Sequence, residues 1–292
     1  MRHHLLRRAL VSLLAATAVT AVVPAATAAA ADPTTCRPTG ENGYSSDLRP
    51  GRALESGASL VPTPGKVELV MQADGNLVVY ALGNPGGPKL PLWHSGTYGN
   101  PGAYALMQED GNFVIYQQGG GPQTGGGIWH TATYGNRDNA YVHASIRDNG
   151  EFSVSGRSED WYWSTDTSEY RYRLCSTDGS WTRGTWAQSA TVWLQLQKDN
   201  NLVMYRKSDG KAIWNSGTYG NRNGLVLEML AGGDLTLHES GPNQTVRWHT
   251  GTAGNTGAFA ILQDDGNFVV YKKDGGPGKG GALWNTATYN KL

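Results

Sequence analysis

The clearest pattern along the chain is a strict alternation of side-chain types between Val70 and Tyr80. Apolar residues at Met71, Leu77 and Val79 alternate with a second set of positions, and a two-residue period is typical of a β-strand with one apolar face. We expect the apolar face to lie in a core. The second set comprises Gln72, Asp74, Asn76, Val78 and Tyr80.

The same five-residue set recurs three more times at the same spacing, and every copy is complete. The further copies are Gln108, Asp110, Asn112, Val114 and Tyr116; Gln197, Asp199, Asn201, Val203 and Tyr205; and Gln263, Asp265, Asn267, Val269 and Tyr271.

Each copy is predicted to fold back on itself as a hairpin. A single strand would separate Gln72 from Tyr80 by about 26 Å, at roughly 3.3 Å per residue, which is too far for one small ligand. The Asp-Gly-Asn stretch around Gly75 is a typical turn. Residues directly opposite in a hairpin share a face, so only a loop of odd length keeps Gln72, Asn76 and Tyr80 together. Asp74 then lies in the loop, and we predict an odd-length loop in every copy.

The clustered set contains one carboxylate, two amides, one phenol and one apolar side chain. Such groups can donate and accept several directional hydrogen bonds while a C–H face rests on the apolar patch, which suits a polyhydroxylated ring. The alternative is that Asp-Gly-Asn is only a common hairpin-turn sequence and that the Gln and Tyr are ordinary residues of the β-ladder. A turn alone does not require Gln and Tyr at these positions, so we favour a binding site.

The repeated Q-x-D-x-N-x-V-x-Y phrase resembles that of the bulb-type (monocot) mannose-binding lectin family, over nearly all of the mature chain. The resemblance implies an all-β fold of two tandem β-prism II domains, each with three four-stranded sheets around a pseudo-threefold axis. It also implies a shallow, metal-independent mannose site without cofactor at each intact phrase. In the first copy Asp74 and Asn76 would bind the axial O2, Gln72 would bind O3, Tyr80 would bind O4 and Val78 would contact ring carbons. The matching residues of the other three copies would have the same roles.

A second repeated phrase, W-x-[ST]-x-T, indicates six units. It begins at Trp93, Trp129, Trp163, Trp214, Trp248 and Trp284. Units of this length cannot bury their own apolar faces, so we expect two closed triplets. We interpret the six tryptophans as core residues, three meeting near each prism axis, rather than as sugar-stacking platforms.

Two units depart from the first phrase. The third has Arg147, Asn149, Glu151, Ser153 and Ser155 in the five positions, and the fifth has Leu230, Gly232, Asp234, Thr236 and His238. Neither can reproduce the hydrogen-bonding set, so we expect their strands to persist and their mannose binding to be lost.

The domain organisation follows from these repeats and from the N-terminal composition. Residues 1–28 have a basic start, an apolar run and small residues before Ala28, which is typical of a cleaved signal peptide and predicts a secreted protein. The lectin domains are predicted at 36–168 and 169–292. Segments rich in Gly and Pro at 82–91, 117–127 and 272–281 are predicted as loops. The tryptophans outside the repeat, assigned to the contact between the domains, are Trp161, Trp181, Trp186 and Trp193.

Charge and cysteine content limit the partners further. Removing the leader takes away three arginines and no acid, so the formal net charge falls from zero to about −3, which argues against nucleic acid. The apolar run of the leader is too short to span a membrane, so no membrane insertion is expected. Cys36 and Cys175 suit one disulfide in an oxidising compartment, although two free or intermolecular thiols are the alternative. Homodimer formation is left open.

Other functions have weaker support in the sequence. A glycosidase needs a pair of acids, and no spacing singles one out among Glu159, Asp160, Glu228 and Glu239, so an enzyme is not expected. Histidines follow some repeat tryptophans, but Asn and Ser take the equivalent places, so no metal site is expected. The partners predicted are mannose-containing glycans or cell-surface polysaccharides. Tandem domains of this kind also resemble lectin-like bacteriocins, which bind surface sugars of competing bacteria and kill them, and this is the alternative function.

Overall fold

The computed structural model describes residues 44–135, 141–156, 161–170, 172–220 and 223–292, which belong to one compact unit. The predicted signal peptide and Cys36 lie outside the described residues. Within the described ranges no helix is long and apolar enough to cross a bilayer.

The described residues form 23 short β-strands. In the first half they are β1 Ser45–Leu48, β2 Arg52–Leu54, β3 Ser59–Leu60, β4 Val67–Met71, β5 Leu77–Leu82, β6 Lys89–His94, β7 Tyr104–Met107, β8 Phe113–Gly121, β9 Gly125–His130, β10 His143–Arg147, β11 Phe152–Ser155 and β12 Trp161–Ser164. In the second half they are β13 Arg173–Cys175, β14 Trp186–Gln188, β15 Val192–Leu196, β16 Leu202–Arg206, β17 Ala212–Asn215, β18 Leu225–Met229, β19 Leu235–Glu239, β20 Val246–His249, β21 Phe259–Leu262, β22 Phe268–Gly276 and β23 Gly280–Asn285.

The strands form six antiparallel sheets, one for each repeat unit, which confirms the all-β expectation. Each unit supplies three consecutive strands, beginning at β4, β7, β10, β15, β18 and β21. The segment that precedes each triplet of units adds the fourth strands. Thus β3, β2 and β1 complete the sheets of units one, two and three, while β14 and β13 complete those of units four and six. These leading strands cover sheet edges that would otherwise be unpaired.

The fifth sheet differs from the expected four strands because it has three. Its fourth position is a single bridge between Trp181 and Leu227, with N–H···O distances of 2.8 and 3.0 Å. The pairing does not continue beyond this bridge, which lies between Gly179 and Gly184, with φ values of 81° and 101°.

All six hairpins have the predicted odd-length loop. In the first, Met71 pairs with Leu77, and the Gln72 amide donates to the Asn76 carbonyl at 2.9 Å. The loop is therefore the three residues 73–75. The equivalent bonds close the hairpins of units two to six at 2.9 Å, so the strands of the divergent third and fifth units persist as expected.

The alternating apolar face forms the core. Met71, Leu77 and Val79 are completely buried. One tryptophan from each sheet then meets the other two of its triplet edge to face. The ring centroids of Trp93, Trp129 and Trp163 are 5.4–5.6 Å apart, and those of Trp214, Trp248 and Trp284 are 5.4–6.0 Å apart. The interpretation of these tryptophans as two central triads is confirmed.

Two tryptophans from the second half belong to the core of the first half. Trp186 and Trp193 are fully buried in that cluster, and the Trp186 Nε1 donates to the Thr167 carbonyl at 2.8 Å. They therefore lie at the contact that the sequence suggested. Trp181 instead packs in the core of the second half, and Trp161 is 47% exposed on the outer face of the third sheet.

Two of the predicted Gly/Pro-rich loops are wrong. Residues 117–121 and 125–127 extend the second-unit hairpin as part of β8 and β9, and β22 and β23 extend the sixth-unit hairpin in the same way. In each case Gly pairs with Gly across the ladder, Gly121 with Gly125 and Gly276 with Gly280. Glycine has little strand preference, and the pairing depends on cross-strand partners that the sequence pattern does not display.

Candidate functional site

The tip of each hairpin is fixed by the third strand of its own unit. The Leu77 amide donates to the Ser95 Oγ at 3.0 Å, and the Thr97 Oγ1 donates to the Gly75 carbonyl at 2.6 Å. The same donation to the tip carbonyl is made by Thr133, Thr167, Thr218, Thr252 and Thr288. The two hydroxyl positions of W-x-[ST]-x-T are therefore structural in all six units.

The asparagine of the phrase has one structural atom and one free atom. Asn76 Oδ1 accepts from the Ser95 hydroxyl and from the amides of Gly96 and Thr97, at 3.0–3.2 Å. The divergent units keep this acceptor with a carboxylate, Glu151 in the third unit and Asp234 in the fifth. What they lose is the amide donor, Nδ2.

The two carboxylate oxygens of the aspartate also differ in role. Asp74 Oδ1 accepts the Asn76 amide at 2.9 Å and closes the turn, as the aspartates of the other three copies do at 2.9–3.0 Å. In the third unit Asn149 Oδ1 makes the same bond to the Glu151 amide. The carboxylate charge and the second oxygen, Oδ2, are not needed for this turn.

The glutamine and tyrosine of the phrase bond to each other. Gln72 Nε2 donates to the Tyr80 hydroxyl at 3.0 Å, and the other three pairs are joined at 2.7–3.0 Å. Neither side chain is tied to the backbone by these bonds. The third and fifth units have lost the pair, with Arg147 and Ser155 or Leu230 and His238 in its place.

The atoms left over at each tip form a compact hydrogen-bonding set. It contains one carboxylate oxygen, one amide N–H₂, one amide oxygen and one phenol proton, beside the aliphatic Val78. Val78 shares the outer face with Tyr80, because Val79 between them points into the core, but the valine of each copy is itself only 2–6% exposed. The structure thus brings together the five predicted residues of each copy around its own tip, and the four sets occupy four separate sheets.

The four candidate sites are not identical. In the second and sixth units the tyrosine of the phrase is nearly buried, because Tyr116 stacks on Tyr104 and Tyr271 stacks on Phe259 at centroid distances of 5.8 and 6.0 Å. In the first unit Tyr80 is opposite Glu68 instead and is more open. Burial raises the pKa of Tyr116, against the opposing effect of its bond from Gln108.

The outer face of the third unit is covered by its own side chains. The Arg147 guanidinium lies 5.5 Å from the centre of the Trp161 ring, and Ser153 and Ser155 are buried on this face.

The fifth face carries two histidine–carboxylate contacts. His238 Nε2 lies 3.1 Å from Glu228 Oε2, and His249 Nδ1 lies 2.9 Å from Asp234 Oδ2. Burial raises the pKa of Asp234, but hydrogen bonds from the Thr252 amide, His249 and Thr250 outweigh it and lower the pKa.

In the second, third, fourth and sixth units the residue that follows the repeat tryptophan accepts a hydrogen bond within the next turn. His130 Nδ1 accepts the Ala132 amide, and the side chains of Asn215 and Asn285 accept the amide two residues later in the same way. His94 lies at the same place beside Val78. Among the described residues, no group of three or more His, Cys, Asp or Glu side chains is arranged to hold a metal ion.

Sequence reasoning treated Ser95 and Thr97 only as part of a unit marker, although they position Asn76. The sequence does contain a clue, because both hydroxyl positions of W-x-[ST]-x-T are occupied in all six units, including the two units without an intact phrase. A feature shared by all six units is structural, whereas one restricted to the four intact units needs another explanation.

No protein-family model and no curated protein matches the chain. The solved structures similar to it include a monomeric monocot mannose-binding lectin from Gastrodia elata, with 28% identity over 40% of this chain and 96% of that one and a TM-score of 0.33. The mannose-specific agglutinin from snowdrop (Galanthus nivalis) bulbs, complexed with methyl-α-D-mannoside, has 29% identity over 36% of this chain and 93% of that one, with a TM-score of 0.32. The two-domain fetuin-binding agglutinin of Scilla campanulata has 22% identity over 83% of this chain and 97% of that one, with a TM-score of 0.31. The chain therefore resembles bulb-type lectins among solved structures as well as in its repeated phrase.

Proposed function

We propose that the protein is a secreted lectin that binds mannose or mannose-rich glycans, without a metal ion, at the four intact tips. One observation carries the proposal. After all structural hydrogen bonds are assigned, the same donors and acceptors are left over in four units, and they are replaced in the two units that keep only the fold.

The left-over atoms match adjacent hydroxyls of a pyranose. A hydroxyl between Asp74 Oδ2 and Asn76 Nδ2 can donate to the carboxylate and accept from the amide, and the axial O2 of mannose is the hydroxyl assigned there. The next two hydroxyls around the ring, O3 and O4, then face Gln72 and Tyr80. An equatorial hydroxyl would leave the carboxylate and amide without this partner, so the glucose epimer is expected to bind much more weakly.

Single sites of this kind are expected to be weak, because an open hairpin tip covers little of its ligand. Four sites on one chain raise the overall affinity when several of them bind one branched glycan or one cell surface at the same time. The effective gain can then be on the order of 10²–10⁴. Polysaccharides and cell surfaces rich in mannose are the partners that benefit most.

Catalysis is not part of the proposal. Hydrolysis of a glycoside uses two carboxyl groups on either side of the bond, whereas the repeated set contains one carboxylate. The two acids of the fifth face, Glu228 and Asp234, are engaged by histidines in a unit that lacks the sugar-binding set.

Titration calorimetry of the mature protein tests this function. Methyl α-mannoside should bind at four sites per chain, equally well with and without EDTA, while methyl α-glucoside should give no comparable heat. Absence of binding to methyl α-mannoside and to a mannose-rich oligosaccharide would refute the proposal. Loss of binding in EDTA would refute the metal-independent mechanism alone.

A further inference from the structure

An exposed tyrosine stands beside each intact phrase. Tyr98, Tyr134, Tyr219 and Tyr289 follow the last threonine of W-x-[ST]-x-T in units one, two, four and six, and each is 62–68% exposed. The third and fifth units have Ser168 and Ala253 at this position. The tyrosine therefore occurs with the intact phrase and is missing where the phrase is broken.

The backbone places this tyrosine at the candidate site. Thr97, just before it, donates through Oγ1 to the Gly75 carbonyl, and Gly99, just after it, donates its amide to the Asp74 carbonyl at 2.9 Å. Tyr98 is thus held between two residues that are bonded to the tip carrying Asp74 and Asn76. Within the described ranges, its ring has neither a hydrogen bond nor a stacking partner.

The turn itself does not require a tyrosine, and the fifth unit shows this directly. Its T-A-G-N sequence, with Ala253, makes the same bonds as T-Y-G-N in the first unit. The asparagine side chain donates to the threonine carbonyl at 2.9 Å in both. In the first unit the amides of the glycine and the asparagine both donate to the Asp74 carbonyl, at 2.9 and 3.0 Å. In the fifth unit they donate to the equivalent Gly232 carbonyl, at 2.8 and 3.0 Å.

We propose that these four tyrosines form a second subsite at each tip, on which the next sugar ring of a mannose-containing oligosaccharide packs. This inference rests on the proposed function. The C–H face of a pyranose is apolar, as is the face of a phenol ring, and tyrosine offers a large rigid surface with few rotatable bonds. In the part of the chain that the structure describes, these four rings have no partner and each lies beside a hydroxyl-binding set, so they favour a chain of sugars over a single one.

The test compares the wild-type chain with a variant in which Tyr98, Tyr134, Tyr219 and Tyr289 are all replaced by alanine. Ala253 shows that the turn accepts this change, and unfolding temperatures confirm it for the variant. Methyl α-mannoside should bind both proteins within about twofold. A panel of α-linked mannobioses should bind the wild type more tightly than the monosaccharide, and the variant should lose roughly fivefold for the best of them. Tyr44→Ala is the matched control, because Tyr44 is 67% exposed but lies at the tip of the divergent third unit.

Several outcomes would overturn the subsite. One is unchanged mannobiose affinity in the variant, and another is an equal loss for mannoside and mannobiose. A third is sedimentation showing that the tyrosines hold two copies of the chain together while mannobiose affinity is unaffected. If the wild type binds neither sugar, the proposed function fails together with this inference. If it binds the monosaccharide normally and the variant shows no specific loss, only the inference fails.

Discussion

At the scale of single residues, each phrase divides into atoms that build the turn and atoms that face a ligand. Asn76 Oδ1 and Asp74 Oδ1 are structural acceptors, so truncating either residue removes turn bonds together with the binding atoms. Gln72 is different, because its side chain donates a hydrogen bond to Tyr80, another residue of the same phrase, and not to the backbone of the turn. Replacing Gln72 therefore separates binding from folding.

Gln72→Leu should remove one site of four and leave stability nearly unchanged. Leucine occupies this position naturally in the fifth unit, at Leu230. Within the described residues, the Gln72 side chain is partly exposed and makes no hydrogen bond to the backbone, and replacing such a side chain usually changes the free energy of unfolding by less than about 0.5 kcal/mol. Calorimetric stoichiometry and a denaturant titration measure the two effects. Gln123→Leu, on the exposed end of the β8–β9 hairpin, is the control. Four remaining sites in Gln72→Leu would contradict the site assignment.

At the scale of the element, the hairpin tip and the third-strand turn are held together through two glycine positions. Gly96 has φ 75°, and Ala132 and Ala287 take the same place with φ 59° and 54°. The space around Gly96 is open, whereas a Cβ on Gly75 would lie 2.2 Å from the Asn100 carbonyl oxygen. Gly96 is thus restricted by its backbone conformation alone, whereas Gly75 is restricted by its conformation and by the Asn100 backbone.

Gly96→Ala should cost about 1 kcal/mol of unfolding free energy, the usual penalty for a left-handed alanine, and should leave mannoside binding intact. Gly75→Ala should cost more than about 3 kcal/mol, since strain adds to the backbone clash, and should abolish the first site. Chemical denaturation and calorimetry of both variants give the comparison. Similar losses for the two glycines would show that contact with the Asn100 backbone is unimportant.

At the scale of the whole molecule, a largely buried polar cluster of the second triplet of sheets is linked to the first by an ion pair between Lys66 Nζ and Glu169 Oε2 at 3.6 Å. Lys207 Nζ donates to Gln188 Oε1 and to the Ser189 carbonyl, both at 2.7 Å, and Gln188 Nε2 donates to Glu169 Oε1 at 2.9 Å. Burial lowers the pKa of Lys207 to about 8, although Glu169 and Asp264 oppose the shift. Burial also raises the pKa of Glu169, against the attraction of Lys66.

The lowered pKa of Lys207 predicts a rise in stability between about pH 8 and 10.5. Between these pH values the Lys207 amine stays protonated in the unfolded chain but is neutral in the folded chain. Raising the pH therefore increases the free energy of unfolding, by at most about 3 kcal/mol. Lys207→Met should abolish the rise, whereas Lys211→Met, at a lysine whose side chain is 75% exposed, should retain it. Urea unfolding at several pH values checks the slope. A slope that persists in Lys207→Met would assign it to other groups.

Trp186 and Trp193 make the first triplet dependent on the second. Trp186→Ala should cost about 3–5 kcal/mol, as large aromatic truncations in cores do, and the isolated 36–168 segment should melt below the full chain. Circular dichroism melts of the full chain, the variant and the segment measure this. A segment as stable as the full chain would support the predicted domain boundary at residues 168 and 169 as a true folding boundary.

By itself, the sequence determined the all-β class, the six units, the odd-length loops and the inward faces, because alternation and internal repetition act through local geometry. The stretch from Leu48 to Leu60 resembles the entry strand of the lectin family, but the sequence did not reveal which sheets β1 to β3, β13 and β14 complete, because these strands are two to four residues long and owe their pairing to sheet edges supplied by distant units. It also did not separate the structural oxygens of Asp74 and Asn76 from their free atoms. That division depends on which third-strand amides reach the tip, and only the tertiary structure brings Ser95, Gly96 and Thr97 there.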